Sequence, residues 1–372
     1  MRILVTGAGG FLGWHLRIRL RALTGAEVVP VTRHNWAELP DLVAGADAII
    51  HVAGVNRGPD QAVERGNIEL ASDVAAAVRR CGGPARLVFA NSTQCGNGSA
   101  YGTGKAMAAE ILADAAAQNG GHCVDVRLPN LFGEHGRPGY NSFVATFVRA
   151  VVDGIAPTVV DRPVGLLHAQ DAAQVLIDGL TSQHKRIDPP AQLTSVGEVL
   201  TTLREFNAVY AEGGDIPTLR SRLDVDLFNT LRAARFPAGY PIALAPRADD
   251  RGRLVETVRA HGSAGQTFVS TTRPGVTRGE HFHLRKIERF VVLDGQARIS
   301  LRRVFTDEVV HFDVDGREPV AVDMPTMWVH NITNIGDQDL VTLFWTNELF
   351  DPEQPDTYPE PVSAPVKEAA PC

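Results

Sequence analysis

The chain has 372 residues, 44% hydrophobic and 21% charged, with a formal net charge of −7. That length implies two or more cores, and the acidic balance speaks against broad nucleic-acid binding, which needs a basic surface to displace counterions. No uninterrupted apolar run approaches the ~18 residues of a membrane span. The apolar run in "MRILVTGAGGFLG" stops at glycine too early for a signal peptide. Four cysteines, Cys81, Cys95, Cys123 and Cys372, lack CxxC spacing and read as free thiols of a reducing cytosol. The expectation is a cytoplasmic protein that binds neither nucleic acid nor membrane.

From Arg2 to about Leu180 short apolar runs ("RILVTG", "EVVPVTR", "ADAIIHVAG", "ARLVFANS") alternate with longer amphipathic segments ("FLGWHLRIRLRAL", "IELASDVAAAVRRC"). This alternation predicts an α/β Rossmann-type doubly wound parallel sheet with right-handed crossovers. "TGAGGFLG" follows the first strand and opens the first helix, with Gly7, Gly10 and Gly13 spaced to let the backbone approach a pyrophosphate at a helix N-terminus. After the second strand, "VTRHN" places Arg33 where an NAD-selective site carries an acidic residue. A guanidinium there suits a 2′-phosphate and favours NADPH.

"SAYGTGK" sets Tyr101 and Lys105 four apart on one helix face. A tyrosine near its ordinary pKa of about 10 shuttles protons poorly at neutral pH, and a neighbouring ammonium is expected to lower that value. Ser92 ends the buried run "LVFANS"; Thr93 is the alternative if the strand runs one residue longer. Together these residues resemble the extended short-chain dehydrogenase/reductase family, whose members act on nucleotide sugars, over roughly residues 1 to 240. The resemblance implies Tyr101 as proton donor, Lys105 as its electrostatic partner and ribose contact, and Ser92 as the hydroxyl that orients the substrate carbonyl. It implies cofactor contacts at Gly7, Gly10, Phe11, Leu12, Gly13, Arg33, Lys105 and, in "DAIIHVAG", Ala53. Asn67, Asn130 in "RLPNLFG" and Arg162 are the implied substrate contacts. In "LLHAQD" the sequence has His168 where this family has the tyrosine of a Tyr-Val-x-Asp pattern, while Asp171 is retained.

Between about His184 and Asp249, "TSVGEVLTTLREFNAVY" and "DVDLFNTLRAARF" read as helices of a connecting lobe that completes the first domain. From 241 to 357 the chain turns to short segments rich in Val, Ile, Phe and Thr, bounded by Gly and Asp, as a barrel or sandwich requires. Within it, "GVTRGEHFHLRKIERFVVLDG" sets His281 and His283 two apart, hence on one face of a strand, with Glu288 after a short turn. "MPTMWVHNITN" adds His330. Three imidazoles and a carboxylate suit a first-row divalent ion, zinc foremost, though the spacing does not choose among metals. Gly275, His281, His283, Glu288 and Gly295 resemble the first motif of the cupin family. Pro325, His330 and Asn334 resemble the second, with Met327 where glycine is usual. The Pro-rich stretch 358–372 reads as extended or loose.

A reductase followed by a cupin whose "DDRGRLVE" resembles sugar-epimerase cupins is similar to a family of bifunctional capsular-polysaccharide enzymes. That resemblance implies a cupin that epimerises C3 of a UDP-4-keto-6-deoxy-N-acetylhexosamine. The reductase then reduces C4 with NADPH to a UDP-2-acetamido-2,6-dideoxy-L-talose, on the way to UDP-N-acetyl-L-fucosamine. Cupins pair through strand edges, which implies a homodimer. Two other readings stay open. One is a monofunctional NADPH-dependent 4-ketoreductase of a dTDP- or UDP-deoxysugar with a dimerising cupin. The other is a non-catalytic sugar-nucleotide sensor, against which the presence of both Tyr101 and Lys105 speaks.

Overall fold

The computed structural model describes residues 1–81, 86–262 and 264–363. Its first part alternates β1 (Arg2–Thr6), α1 (Phe11–Leu23), β2 (Glu27–Val31), α2 (Leu39–Ala44), β3 (Ala48–His51) and α3 (Asp60–Cys81). β4 (Arg86–Ser92), α4 (Ala100–Gln118) and β5 (His122–Leu128) continue the pattern. There follow β6 (Asn130–Phe132), α5 (Phe143–Val152), β7 (Pro163–His168), α6 (Ala169–Gly179) and β8 (Arg186–Ile187). β9 (Gln192–Ser195), α7 (Val196–Tyr210) and α8 (Arg222–Arg235) close this half.

Six strands form a parallel sheet in the order β2-β1-β3-β4-β5-β8. The apolar runs are continuous because both faces are covered. Ile3 and Val5 pack with Leu16, Leu20, Ala172 and Leu176 of α1 and α6, whereas Leu4 packs with Val74, Val78 and Leu112 of α3 and α4. β1 is flanked by β2 and β3, so successive connections leave it in opposite directions. Its carboxyl end is therefore the topological switch point where open α/β sheets bind ligands. A small sheet, β6-β7-β9, with α5, α7 and α8 forms the lobe beside it.

The C-terminal part contains β10 (Ile242–Ala243), β11 (Arg247–Asp249), β12 (Gly252–Leu254), β13 (Gln266–Thr272), β14 (Thr277–Phe282) and β15 (Glu288–Asp294). It continues with β16 (Gln296–Arg303), β17 (Val309–Asp315), β18 (Val320–Met324), β19 (Trp328–Asn334), β20 (Leu340–Thr346) and β21 (Tyr358–Pro359). Among the described residues its named strands pair antiparallel, in two five-stranded sheets, β10-β18-β15-β20-β13 and β17-β16-β19-β14-β21, plus the β11-β12 hairpin.

One expectation, the loose tail, is revised, and the boundary near 240 is spanned by a continuous core. Phe206, Phe228 and Leu231 of the lobe belong to the same buried cluster as Phe290, Ile299 and Ile332 of the two β-sheets. Charged groups cross the same seam: Arg289 donates to Asp323 at 2.6 and 3.0 Å and to Gly214 O at 2.6 Å, and Tyr210 donates to Asp323 at 2.7 Å. The tail is not loose over 358–363. β21 pairs with β14, Glu360 lies 2.8 Å from Arg302, and Val362 is 4% exposed against Ile18 and Phe282. Residues 364–372, Cys372 among them, and the Cys81 side chain lie outside the described residues. Cys95 and Cys123 are free cysteines, and no described helix is long and apolar enough to cross a membrane.

Candidate active site and metal centre

At the switch point the glycine loop is built as its spacing predicts. Gly7 has φ +67°, and a β-carbon on it would lie 2.7 Å from Ala53 N. One on Gly13 would lie 2.2 Å from Gly7 O, so neither position admits a side chain without moving backbone. Gly10 N donates to Gly7 O at 2.9 Å and Gly10 caps α1 without a side-chain hydrogen bond. The first amide groups of α1 thus have no capping side chain, the arrangement that receives an anion. Phe11 and Leu12 form the first turn of α1, Ala53 follows β3, and Arg33 is exposed just beyond β2.

Ser92 ends β4, as one of the two alternatives required, and Tyr101, in the first turn of α4, has its hydroxyl beside the Ser92 side chain. One turn on, Lys105 is buried and donates to Ala90 O at 2.9 Å; a β-carbon on Gly54 would sit 3.5 Å from its Nζ. Lys105 therefore ties α4 to the end of β4 and to the loop after β3. The expected lowering of the Tyr101 pKa is not what this geometry gives. Burial raises it, against the Ser92 hydrogen bond. Burial also depresses Lys105 to about 8, while Asp125 and Cys95 oppose that fall. Tyr101 consequently keeps its proton near neutrality, the state a proton donor needs.

The expected substrate residues part company. Asn67 is 3% exposed, donates to Val55 O and Val63 O at 2.7 and 2.8 Å and accepts from Val55 N at 3.3 Å. Its amide is spent on fixing the loop after β3. Asn130 is exposed on β6 and donates to Gly165 O at 3.2 Å; Arg162 is exposed just before β7. His168 is buried beside Glu134, Nε2 to Oε2 3.0 Å, so it is one half of an internal ion pair rather than an exposed contact.

In the C-terminal half, strand register brings the four expected ligands together. β14 and β19 place His281 directly opposite His330, after an irregularity at Glu280, whose φ is +62°. Glu288 opens β15 in the other sheet. Its Oε2 lies 3.0 Å from His283 Nε2, 3.1 Å from His330 Nε2 and 3.9 Å from His281 Nε2. One ligand atom from each residue falls within 4.8 Å of all the others. His281 keeps 21% of its side chain exposed, against 2% and 0% for His283 and His330, so the cluster opens on the His281 side.

The rings are held from behind. His283 Nδ1 lies 2.6 Å from Asp356 O and His330 Nδ1 3.0 Å from Trp328 O, which directs both Nε2 atoms to the centre. Burial opposes the Glu288 charge, yet the surrounding imidazoles hold its carboxyl well below the usual range. Burial pulls His330 down to about 4. An ionised carboxylate and a neutral imidazole are the states that bind a divalent cation.

Comparison with known proteins follows the same division. Residues 3–187 match the NAD dependent epimerase/dehydratase family and residues 247–358 the polysaccharide biosynthesis C-terminal domain. The UDP-2-acetamido-2,6-beta-L-arabino-hexul-4-ose reductase of Pseudomonas aeruginosa is 35% identical over 370 residues, 96% of this chain and 98% of that one. The crystal structure of capsular polysaccharide assembling protein CapF from Staphylococcus aureus is 31% identical, with a TM-score of 0.63 over 97% of this chain and 100% of that one. The chain belongs to the CapF family. The Thermotoga maritima UDP-glucose 4-epimerase shares only the fold, at 16% identity and TM-score 0.54 over 63% of this chain and 99% of that one.

Three residues that support the sites of this CapF-family chain were not legible in its sequence. Asp356 accepts from the backbone amides of Leu284, Arg285 and Lys286 at 3.0, 2.9 and 2.7 Å and so closes the turn between His283 and Glu288. Glu134 and Gln170 reach across to the turn before His330. All three act on residues distant in sequence, where no spacing signal exists.

Proposed function

We propose that the chain is a bifunctional UDP-sugar enzyme. Its C-terminal half, read as a cupin barrel, epimerises C3 of a UDP-4-keto-6-deoxy-N-acetylhexosamine. Its N-terminal half then reduces the C4 ketone to a UDP-2-acetamido-2,6-dideoxy-L-talose, a precursor of UDP-N-acetyl-L-fucosamine. The observation that carries this reading is the convergence of His281, His283, Glu288 and His330 in the same chain as the Ser92–Tyr101 pair beside a dinucleotide loop. The sugar class follows from the name of the Pseudomonas aeruginosa relative.

Gly7, Gly10, Phe11, Leu12, Gly13, Ala53 and Lys105 hold the dinucleotide, and Arg33 selects its 2′-phosphate. NADPH bound there would supply a hydride for the C4 carbonyl. Ser92 orients the carbonyl and Tyr101, protonated because burial raises its pKa, delivers the proton to the C4 oxygen. Asn130 and Arg162 are exposed at the lobe to meet the nucleotide sugar.

His281, His283, Glu288 and His330 would hold one divalent ion, with zinc the best match to three nitrogens and one carboxylate oxygen. Such an ion would supply Lewis-acid polarisation of the C4 ketone, which would acidify the neighbouring C3–H. The order of steps follows from bonding. C3–H is acidic only while C4 is a ketone, so epimerisation comes first and reduction traps the new configuration. A homodimer is in keeping with β13, an outer strand that leaves Phe268 41% and Val269 57% exposed.

Tyr101→Phe tests the division of labour. Given the 4-keto sugar nucleotide and NADPH, this variant is expected to lose roughly 10²–10⁴-fold in NADPH oxidation while the C3-epimerised ketone accumulates at the wild-type rate, followed by NMR. Loss of both activities in a folded variant would contradict two separate sites and favour a plain ketoreductase.

A further inference from the structure

Met327 stands where cupin sequences have glycine, and its backbone keeps the glycine-like conformation, φ +61°. A β-carbon disfavours that region, so the surroundings must hold the turn there. Within the β-sheets, Met327 N donates to His283 O at 2.7 Å and Val304 N to Met327 O at 3.1 Å. Two side-chain hydrogen bonds come from the N-terminal half. Thr326 donates its hydroxyl to Glu134 Oε1 at 2.7 Å, and Gln170 Nε2 lies 3.2 Å from Met327 Sδ.

Both of these residues are themselves fixed. Glu134 is 1% exposed and paired with His168 at 3.0 Å. His15 Nε2 lies 3.0 Å from Glu134 O and its Nδ1 lies 2.9 Å from Gln170 Nε2. With Nε2 donating to the carbonyl, Nδ1 accepts one N–H of Gln170 Nε2, and the other N–H is shared between Met327 Sδ and His15 O, 3.3 Å away. Strand alternation extends the contact. Phe282, Leu284 and Val329, neighbours of the four-residue cluster in sequence, pack with Met327 against Ile18 of α1, while His281, His283 and His330 face the other way.

We propose that Glu134 and Gln170 are positioning residues for the His281–His283–Glu288–His330 centre, which the N-terminal half completes by holding the Met327 turn that presents His330. The proposal rests on reading that cluster as a metal site. β19 begins at Trp328, directly after the turn, so the conformation at Met327 sets where the strand bearing His330 starts. A glycine in that place would need no external hold; methionine does, and its buried thioether is the handle.

The test uses the full-length protein stripped with a chelator and Co(II) alone as probe, read by its visible absorption and by competition with a chromogenic chelator. Gln170→Leu is expected to weaken Co(II) binding about 10–100-fold and to alter the ligand-field bands, with folding checked by circular dichroism. In a Met327→Gly background the turn regains glycine's own freedom, so adding Gln170→Leu should change neither affinity nor spectrum further. Thr326→Val, which removes the hydroxyl that reaches Glu134, provides the same comparison should Gln170→Leu not fold. Unchanged Co(II) affinity and spectrum in the folded variants, or full additivity with Met327→Gly, overturns the proposal. A wild-type protein that binds no Co(II) overturns the metal reading of the cluster together with it, whereas normal wild-type binding with unperturbed variants overturns the positioning role alone.

Discussion

The buried pair of Glu134 and His168 concentrates the physics of the seam in two side chains. Burial works against both charges, yet their attraction wins: Glu134 is lowered to about 2 from 4.5, and His168 is raised to about 9 from 6.5. The sign of the pH dependence follows by linkage. The carboxyl's contribution is complete above pH 4.5 and lost as pH falls through about 2; the imidazole's is complete below pH 6.5 and lost as pH rises through about 9. Glu134→Gln removes the charge and keeps an acceptor for Thr326. Its stability deficit against wild type, measured by chemical denaturation, should be greatest near pH 5–6 and shrink above pH 9. A deficit constant from pH 5 to 10 would mean that the pair is not ionised. His168 also shows what sequence alone conveys at this scale. "LLHAQD" marks a departure from a family pattern, but the partner that explains it, Glu134, sits 34 residues away and becomes visible only when β6 and β7 pair.

At the level of elements, local patterns were legible and long-range ones were not. The glycine loop, the helix that sets Tyr101 one turn before Lys105, and the His-x-His strand are short-range features whose periodicity dictates geometry. The stretch from Tyr358 to Val362 is the opposite case: its proline content reads as loose chain, yet β21 pairs with β14 beside His281. What holds it is charge. Arg302, 2% exposed, donates to Glu360 Oε1 at 2.8 Å and to the carbonyls of Val362 and Pro361 at 2.7 and 3.0 Å. Glu360→Ala leaves that guanidinium buried without its carboxylate and is expected to cost ~3 kcal/mol, read as a lower midpoint of thermal unfolding. A midpoint within 1–2 °C of wild type would show that the backbone carbonyls suffice.

Over the whole molecule, the two halves were predictable as fold types, since alternating α/β runs and dense short strands demand different architectures. Their union was not. Phe228 of α8 and Ile332 of β19 share one core, and no property of either segment alone announces the other. The union matters for the chemistry. Under the proposed function, a ketone at C4 would make C3–H removable and its reduction by the N-terminal half would fix the result, so the two reactions would occur in that order on one substrate.

The most direct measurement is C3 deuterium exchange. The 4-keto-6-deoxy UDP-N-acetylhexosamine is incubated with the protein in D2O without NADPH, and the C3 proton is followed by NMR. The wild type should exchange it, and folded His281→Ala and His283→Ala variants should slow exchange by about 10²-fold or more, the scale on which loss of an oxyanion-stabilising group acts, while leaving NADPH-dependent reduction of a pre-epimerised ketone intact. Absence of exchange in a wild type that still reduces C4, or unchanged exchange in the histidine variants, would contradict the account.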